Sequence, residues 1–303
     1  MRESDLLDLI ARTSATAVAG FPGVLVGPGD DCAVVAPGGS ALLLKVDQLI
    51  EGRHFAPGTP LELVARKAIA RAVSDIAAMA GTPFASLAAA VFPHAYPQPD
   101  AARLCLLLHD AARRWGCPTV GGDVASFAPG DHPLTLSITV LGGVHPTRGA
   151  VLRSGVRPGD AIYVTGAIGG SFASGRHLTF EPRLAEGAAL AATLGNDLHA
   201  MMDVSDGLGR DAGRLAAASR VRIELDTASI PLNADVLDTV RAASDGEDYE
   251  LLFAVAADAA VPGVIASGTP CTRIGRAIAG SGCVLRLADG REIDAIGLGW
   301  DHA

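Results

Sequence analysis

The sequence predicts an α/β protein of two domains, and three observations support this fold class. The chain has 303 residues, enough for two ordinary domains or one large one. Helix-like and strand-like segments alternate along most of its length. A stretch rich in glycine, arginine and proline at 145–166 interrupts this alternation. We therefore place a boundary near residue 147 and expect domains at 1–146 and 147–303.

In the first half, two segments carry apolar residues at helical spacing. The first, 61–81, ends on Gly81, where a helix is expected to stop. The second, 100–116, opens with Asp100, which we expect to be its N-cap. The runs that are typical of strands in this half are 40–46, 84–92 and 134–144.

The second half repeats this alternation and predicts a second α/β domain. Its apolar spacing favours three helices, at about 184–195, 207–219 and 233–243. Short apolar runs between them favour four strands, at 160–165, 221–225, 250–256 and 282–287. Because helices and strands alternate here as they do in the first half, we expect each half to form its own core.

Composition argues against several classes of protein. Hydrophobic residues make up 49% of the chain and the mean hydropathy is +0.33, so a sizeable core is expected and disorder is not. No apolar run approaches the roughly 18–20 residues of a membrane span. The first 15 residues are typical of an acidic amphipathic helix rather than of a signal peptide. The net charge of −9 argues against a nucleic-acid surface, so we expect neither nucleic-acid nor membrane partners.

The cysteines indicate a reducing environment. The chain has five of them, widely spaced and without a CxxC pair. An odd number without such pairs suits reduced thiols better than a disulfide framework or a zinc site. We therefore expect a cytoplasmic protein.

Aspartates recur where the chain passes from one predicted element to the next, mostly beside glycine, serine or small apolar residues. They are Asp30, Asp31, Asp47, Asp75, Asp123, Asp203 and Asp206. Carboxylates in partly apolar surroundings need a compensating charge, and Mg²⁺ supplies it through hard oxygen ligands. Several carboxylate-bound Mg²⁺ ions facing phosphates are typical of nucleotide chemistry.

Simpler explanations compete at three of these positions. Asp75 lies four residues after Arg71, so the two side chains could form an ordinary helical ion pair. Asp206 could N-cap the helix that follows it, and Asp30 could form an Asx-turn. The ordered set is therefore more informative than any single member.

The familiar phosphate-binding loops are missing from the sequence. It contains no GxxxxGK[ST] motif, no protein-kinase glycine loop with its partner motifs, and no GxGxxG opening a helix. If the chain binds ATP, we expect carboxylates with Mg²⁺, glycine amides and arginines to hold it.

Nine segments, taken in order, resemble the thiamine-monophosphate kinase family of the aminoimidazole ribonucleotide synthetase superfamily. They are "GDDCAVV", "VDQLIEGRHF", "AVSDIAAMAG", "GGD", "VLRSGVRPGDAIYVTG", "HLTFEPRL", "MDVSDGLGRD", "SDGEDYELLF" and a late "IGRA". The resemblance extends from about residue 27 to the end of the chain. It implies an N-terminal α/β domain that dimerises through its sheet, ATP sites near the subunit boundary, and a C-terminal α/β domain that closes over them.

The resemblance also implies an activity: transfer of the γ-phosphoryl group of ATP to thiamine monophosphate. According to the resemblance, the Mg²⁺ ligands are the seven aspartates, Asp30, Asp31, Asp47, Asp75, Asp123, Asp203 and Asp206. The implied ATP contacts are Gly121, Gly122, Arg153 and Ser205. The acceptor phosphate is mostly dianionic at neutral pH, so no general base is required. Instead, Mg²⁺-bound Asp75, Asp123 and Asp206 would stabilise the transfer together with Arg153.

Three further residues fall where the family meets its thiamine substrate: His54, Glu247 and Trp300. The cationic thiazolium ring favours acidic or aromatic neighbours, which Glu247 and Trp300 could provide. Trp300 could equally be a C-terminal packing residue, and His54 could be a structural histidine.

The chain departs from the family pattern at two informative places. Lys45-Val46-Asp47 replaces a hydroxyl–hydroxyl–Asp sequence, and "GGDVASFAPGD" lacks the threonines and the arginine of GGDTTRG. The substitutions after GGD favour one alternative, a non-catalytic dimer that binds nucleotide or divalent cations. An ATP-using enzyme of the same superfamily with another acceptor is the other alternative. Selenophosphate synthetase is disfavoured, because the first cysteine is Cys32.

Overall fold

The computed structural model describes residues 9, 10, 13 and 21–300, so the helix predicted over the first 15 residues lies almost wholly outside the described part. Two β-sheets, one in each half of the chain, organise the fold. The strands are β1 (Val24–Val26), β2 (Ala33–Val35), β3 (Leu42–Ile50), β4 (Thr82–Phe92), β5 (Thr119–Ser126), β6 (Thr135–Gly143), β7 (Ala161–Thr165), β8 (Leu198–Asp203), β9 (Arg222–Asp226), β10 (Leu251–Val255), β11 (Val264–Ile265), β12 (Thr269–Ile278), β13 (Gly282–Arg286) and β14 (Glu292–Asp294). The α-helices are α1 (Leu61–Ala78), α2 (Gln98–Arg114), α3 (Ser171–Ser174), α4 (Leu184–Leu194), α5 (Leu208–Ser219) and α6 (Thr239–Ser244).

The first sheet has six strands in the order β1-β2-β3-β6-β4-β5. Only β4 and β5 pair in parallel; the other neighbours are antiparallel. One face of this sheet packs against α1, and α1 also contacts α2. The core between them is built from aliphatic side chains such as Leu43, Ile69, Val73 and Ile138, all almost fully buried.

The second sheet runs β14-β13-β9-β12-β7-β10-β8, with β11 paired to β12. Strand β10, which lies between β7 and β8, is buried on both faces: Leu252 belongs to the core on the α5 side, and Phe253 to the core on the α4 side. A strand covered on both faces has a continuous apolar sequence, here Leu-Leu-Phe-Ala-Val. Within the described residues, no helix combines the length and apolar character needed to cross a bilayer.

Helix α1 joins the two halves of the molecule. It contacts β3 and β6 of the first sheet, and it also contacts α4 and β8 from the second half of the chain. Helix α1 is therefore buried on most of its circumference, which explains its many alanines. Any polar residue of α1 that faces β8 lies close to both sheets.

Two predicted helix boundaries are wrong. Helix α2 begins at Gln98, and Pro97 rather than Asp100 occupies the N-cap position; Asp100 lies in the first turn. The helix expected over 233–243 is only α6, whose N-cap Asp238 accepts hydrogen bonds from two backbone amides. The segment before it does not form a helix: it contains a turn at 234–235, Val236 packs against the core of the second half, and Leu237 is 95% exposed.

The sequence analysis did not predict β5, β8 or β12 as strands. The two adjacent glycines of β5 are typical of a loop, and β12 carries two arginines. In β5, however, the glycines permit close approach: a Cβ on Gly122 would lie 1.8 Å from the carbonyl oxygen of Ala88 in β4. Neighbouring backbone, rather than local turn geometry, explains this glycine.

The contact between α1 and α4 depends on another glycine. A Cβ on Gly187 of α4 would lie 2.4 Å from the carbonyl oxygen of Ala77 in α1. We predict that Gly187→Ala lowers the free energy of unfolding by about 1–3 kcal/mol, because the two helix backbones must separate. Urea unfolding measures the effect. Gly263→Ala is the matched control, since a Cβ there meets nothing within 4 Å. Equal stability of the two variants would contradict the close helix contact.

Candidate active site

Three predicted aspartates meet in one buried cluster. Asp31 comes from the turn after β1, Asp75 from α1, and Asp203 from the last residue of β8. Carboxylate oxygens of all three lie within 4.8 Å of one another, and all three side chains are buried. The turn before Asp31 requires Gly29, whose φ of 126° is unfavourable for other residues. Helix α1 lies between β3 and β8, and this explains why the three aspartates come together although they are distant in sequence.

This cluster has the properties of a site for a hard cation. Oδ2 of Asp31 is buried without a hydrogen-bond partner. Burial, with the neighbouring charge of Asp31, raises the pKa of Asp203 to about 6. Burial likewise raises the pKa of Asp75 well above its usual value. Several oxygen ligands with uncompensated negative charge are what Mg²⁺ requires, so the residues present fit the ion that the family resemblance implies.

Protein cations neutralise part of the cluster. Nζ of Lys45 lies 2.8 Å from Oδ1 of Asp75 and 3.4 Å from Oδ1 of Asp47. On the other side, Nη2 of Arg153 donates to Oδ1 of Asp31 at 2.6 Å. Lys45 therefore links Asp47 to Asp75 of the cluster. Arg153, from the second half of the chain, forms an ion pair with Asp31 on the other side of the cluster.

The adjacent aspartates of the glycine-rich turn have different partners. The carboxylate of Asp30 accepts hydrogen bonds from the backbone amides of Asp31 (3.0 Å) and Arg153 (3.1 and 3.2 Å). Burial, more than the charge of Asp31, raises the pKa of Asp30 to about 6. Asp30 thus fastens the turn to the second half, whereas Asp31 faces the cluster.

Two of the simpler explanations considered above can now be compared with the structure. Asp75 pairs with Lys45 on β3, and Nη1 of Arg71 donates to the carbonyl of Gln48 at 3.0 Å. The position before α5 is not capped by Asp206: the N-cap is Gly207, without a side-chain hydrogen bond. Nη1 of Arg214 instead donates to the Asp206 carboxylate at 2.5 Å.

The three predicted thiamine contacts line one pocket beside the cluster. The residues around it are Arg53, His54, Arg71, Phe172, Ser205, Asp206, Glu247, Tyr249 and Trp300. This narrow pocket shares Phe172 and Trp300 with an adjoining cleft of about 520 Å³. Trp300 is 55% exposed, with its ring 6.3 Å from that of Phe172, so it is not a core packing residue. His54 also has a structural contact, because its Nδ1 accepts the backbone amide of Ile50 at 2.9 Å.

Glu247 is held at this pocket by its backbone and by a lysine. Its φ is +66°, an uncommon conformation for a non-glycine residue, and its amide donates to the carbonyl of Ser205 at 2.7 Å. Its carboxylate pairs with the fully buried Lys67, whose Nζ also donates to the carbonyl of His54 at 2.6 Å. Burial lowers the pKa of Lys67 to about 8.

The remaining predicted residues lie elsewhere. Gly121, Gly122 and Asp123 belong to the edge strand β5 and line a groove of about 460 Å³ between β5 and α2. Strands β6 and β4 separate β5 from β3, so Asp123 lies roughly 14 Å across the sheet from Asp47. The register places Asp123 level with Gln48, hence on the face opposite Asp47. Within this chain, Asp123 does not join the cluster.

Besides the unpredicted pocket residues Arg53, Arg71, Phe172 and Tyr249, sequence reasoning missed three residues that hold the site together. They are Lys67; Ser74, which donates to Asp203 at 2.6 Å; and Asp211, whose Oδ2 accepts the amides of Ser205 and Asp206. A signal existed for the lysine: the chain contains only two lysines, Lys45 and Lys67, and both lie at this site. Ser74 and Asp211 carried no comparable signal.

Comparison with known proteins agrees with this geometry. Residues 29–144 match the N-terminal domain of the AIR synthase related proteins, and residues 157–288 match their C-terminal domain. A thiamine-monophosphate kinase of Rhodopirellula baltica is 36% identical, with 95% of this chain and 93% of the relative aligned. The thiamine-monophosphate kinase of Escherichia coli K12 is 32% identical, with 92% of each aligned. The solved structure of AaThiL complexed with AMPPCP and TMP has a TM-score of 0.82 at 28% identity, covering 100% of this chain and 97% of that one.

The raised carboxylate pKa values predict an unusual pH dependence of stability. In the folded protein Asp203 takes up a proton near pH 6, but in the unfolded chain only near 3.8. This contribution to stability is therefore present at low pH and lost as the pH rises through about 6. Between pH 8 and pH 5, without metal, wild type should gain about 1 kcal/mol more in free energy of unfolding than Asp203→Asn.

Urea unfolding in EDTA across this range tests the prediction. Asp110→Asn, which alters an exposed carboxylate on α2, should retain the wild-type pH dependence. Parallel pH profiles for wild type and Asp203→Asn would show that Asp203 is already ionised in the metal-free cluster.

Proposed function

The chain belongs to the thiamine-monophosphate kinases among the AIR synthase related proteins, and from this premise we propose that it transfers the γ-phosphoryl group of ATP to thiamine monophosphate. One observation carries the proposal. The buried carboxylates of Asp31, Asp75 and Asp203 adjoin the pocket formed by His54, Glu247 and Trp300. A site for phosphates and a site for an aromatic cation therefore lie side by side.

The transfer is a direct, in-line displacement. An oxygen of the acceptor phosphate forms a bond to the γ-phosphorus while the bond to the β–γ bridging oxygen breaks, which gives thiamine diphosphate and ADP. The acceptor is mostly dianionic at neutral pH, since its second pKa is about 6, so no side chain needs to remove a proton. Mg²⁺ ions bound by the carboxylates supply the positive charge that offsets repulsion between the two phosphate groups. Arg153 adds a fixed positive charge beside Asp31.

The acceptor is recognised chiefly by aromatic faces. Glu247 is already paired with Lys67, so its charge is largely compensated before any ligand arrives. Trp300 and Phe172, shared by the narrow pocket and the larger cleft, offer ring faces to the thiazolium cation. His54 shapes the same pocket. The AaThiL structure complexed with AMPPCP and TMP supports a site that holds a nucleotide and a second ligand together.

The nucleotide occupies the groove between β5 and α2. This groove has the size of a small-molecule site and is lined by apolar side chains and by Gly121 and Gly122. The glycines expose backbone amides that can approach the ligand closely. Asp123 lines this groove and Ser205 lines the acceptor pocket. Because the first sheet separates the two residues within one chain, we assign them to one nucleotide across the subunit boundary, with Asp123 and Ser205 coming from different copies.

We further propose that the chain works as a cytoplasmic homodimer. The face of the first sheet opposite α1 exposes large apolar side chains, including Val46 (60%) and Leu87 (40%). A second copy covering this face would remove them from water, and it would bring its surface next to Asp123. All five cysteines are free, which suits a reducing compartment.

One observation favours a second candidate, a non-catalytic dimer that binds nucleotide or divalent cations. Lys45 lies inside the acidic cluster, where the family has a hydroxyl residue, and it neutralises carboxylates that would otherwise face metal and phosphate. Such a change could preserve binding while reducing catalysis.

We predict that the purified protein with ATP, Mg²⁺ and thiamine monophosphate produces thiamine diphosphate. ³¹P NMR should show its two coupled phosphorus resonances growing in step with ADP. Omitting thiamine monophosphate is the control and should leave ATP intact. Binding of ATP without transfer to any of a panel of phosphorylated acceptors would establish the binding-module alternative.

We also predict that Asp75→Asn lowers kcat by about 100-fold or more, because a negative oxygen ligand is lost where charge must be held. The fold should survive, because Asp47 still pairs with Lys45 when the charge of Asp75 is removed. Steady-state kinetics and thermal unfolding of the same preparation measure both effects. Asp110→Asn is the control. A near-wild-type rate would reduce Asp75 to a structural partner of Lys45.

A further inference from the structure

Strand β3 presents two charged residues on its buried face. Side chains alternate along a strand, so Leu43, Lys45, Asp47 and Leu49 all face α1. Leu43 and Leu49 are almost fully buried, and the two charged residues lie between them. A lysine on such a face is costly unless it is paired, and here it is paired twice.

The position of the ammonium group is more specific than that of an ordinary ion pair. Nζ of Lys45 lies 2.8 Å from Oδ1 of Asp75 and 3.4 Å from Oδ1 of Asp47. Asp75 in turn belongs to the carboxylate cluster with Asp31 and Asp203. Lys45 is therefore a cation that contacts two carboxylates, one of which belongs to the cluster.

We propose that the ammonium group of Lys45 permanently replaces one divalent cation between Asp47 and Asp75. Any cation bridging these two carboxylates would need the space that Nζ fills. Nζ donates a hydrogen bond to Oδ1 of Asp75, so the ammonium group lies directly against that carboxylate. The proposal rests on the proposed function only in identifying the phosphates that this charge would face.

The opposite side of the cluster keeps its capacity for metal. Oδ2 of Asp31 has no hydrogen-bond partner, and Asp203 uses Oδ2 to accept from Ser74, which leaves Oδ1 available. We therefore infer that divalent cations bind on the Asp31–Asp203 side and that Lys45 excludes them from the Asp47–Asp75 side. One positive charge of the site is then part of the polypeptide and cannot be removed by a chelator.

Counting bound Mn²⁺ on the nucleotide-free protein tests this without reference to catalysis. Lys45→Thr removes the ammonium and supplies a hydroxyl oxygen. Titration calorimetry and the electron paramagnetic resonance signal of free Mn²⁺ should detect one additional Mn²⁺ per chain in this variant. Equal Mn²⁺ numbers and affinities in wild type and Lys45→Thr would overturn the proposal.

Two control variants test whether Mn²⁺ binding depends on a positive charge at position 45 or only on the net charge of the protein. Lys45→Arg keeps a cation at the same place and should bind as many Mn²⁺ ions as wild type. Arg103→Thr removes a positive charge from an exposed ion pair with Glu62, away from the cluster, and should also match wild type. If Arg103→Thr also bound an additional Mn²⁺, the gain in Lys45→Thr would be explained by net charge alone, and the proposal would be overturned.

Wild-type crystals soaked in Mn²⁺ provide a test that does not depend on the folding of any variant. Anomalous scattering should place Mn²⁺ beside Asp31 and Asp203, with Lys45 still bridging Asp47 and Asp75. A Mn²⁺ peak between Asp47 and Asp75 with the lysine displaced would refute the replacement. Because neither measurement uses thiamine monophosphate, failure of the proposed kinase activity and failure of this inference are distinguishable.

Discussion

The repulsion among the buried carboxylates of Asp31, Asp75 and Asp203 is the constraint on which the rest of the site depends. Oxygens of these three groups lie within 4.8 Å of one another, and burial raises the pKa values of two of them. Such an arrangement opposes folding unless cations compensate it. Lys45 and Arg153 supply part of that compensation, and Oδ2 of Asp31 has no hydrogen-bond partner.

Helix α1 determines where in the molecule the three carboxylates meet. It lies between the first sheet and β8 of the second, so its residues face both halves of the molecule. Asp75 and Ser74 lie on this helix beside Asp203, and Lys67, one to two turns earlier, holds Glu247 at the neighbouring pocket. The same helix thus organises the metal side and the acceptor side, and its contact with both halves fixes their separation.

Much of the fold was predictable because apolar periodicity reports burial directly. Helices α1, α4 and α5 and seven of the fourteen described strands agree with the sequence analysis within a few residues. The errors came where tertiary contacts override local pattern. Strand β5 has the composition of a loop, yet its glycines allow it to pack against β4. The segment before α6 has helical spacing, but it forms a turn in which Val236 packs against the core and Leu237 is exposed.

The sequence by itself determined the family, because ordered motifs can be identified without knowledge of the fold, and it predicted a site built from aspartates. Only the tertiary structure decided which of the predicted aspartates lie together and which lie elsewhere. It gathered Asp31, Asp75 and Asp203, tied Asp30 to backbone amides, and left Asp123 on the opposite face of the sheet. It also gave the substituted Lys45 a role, since the charge of a side chain is written in the sequence but its partners depend on which strand and helix face each other.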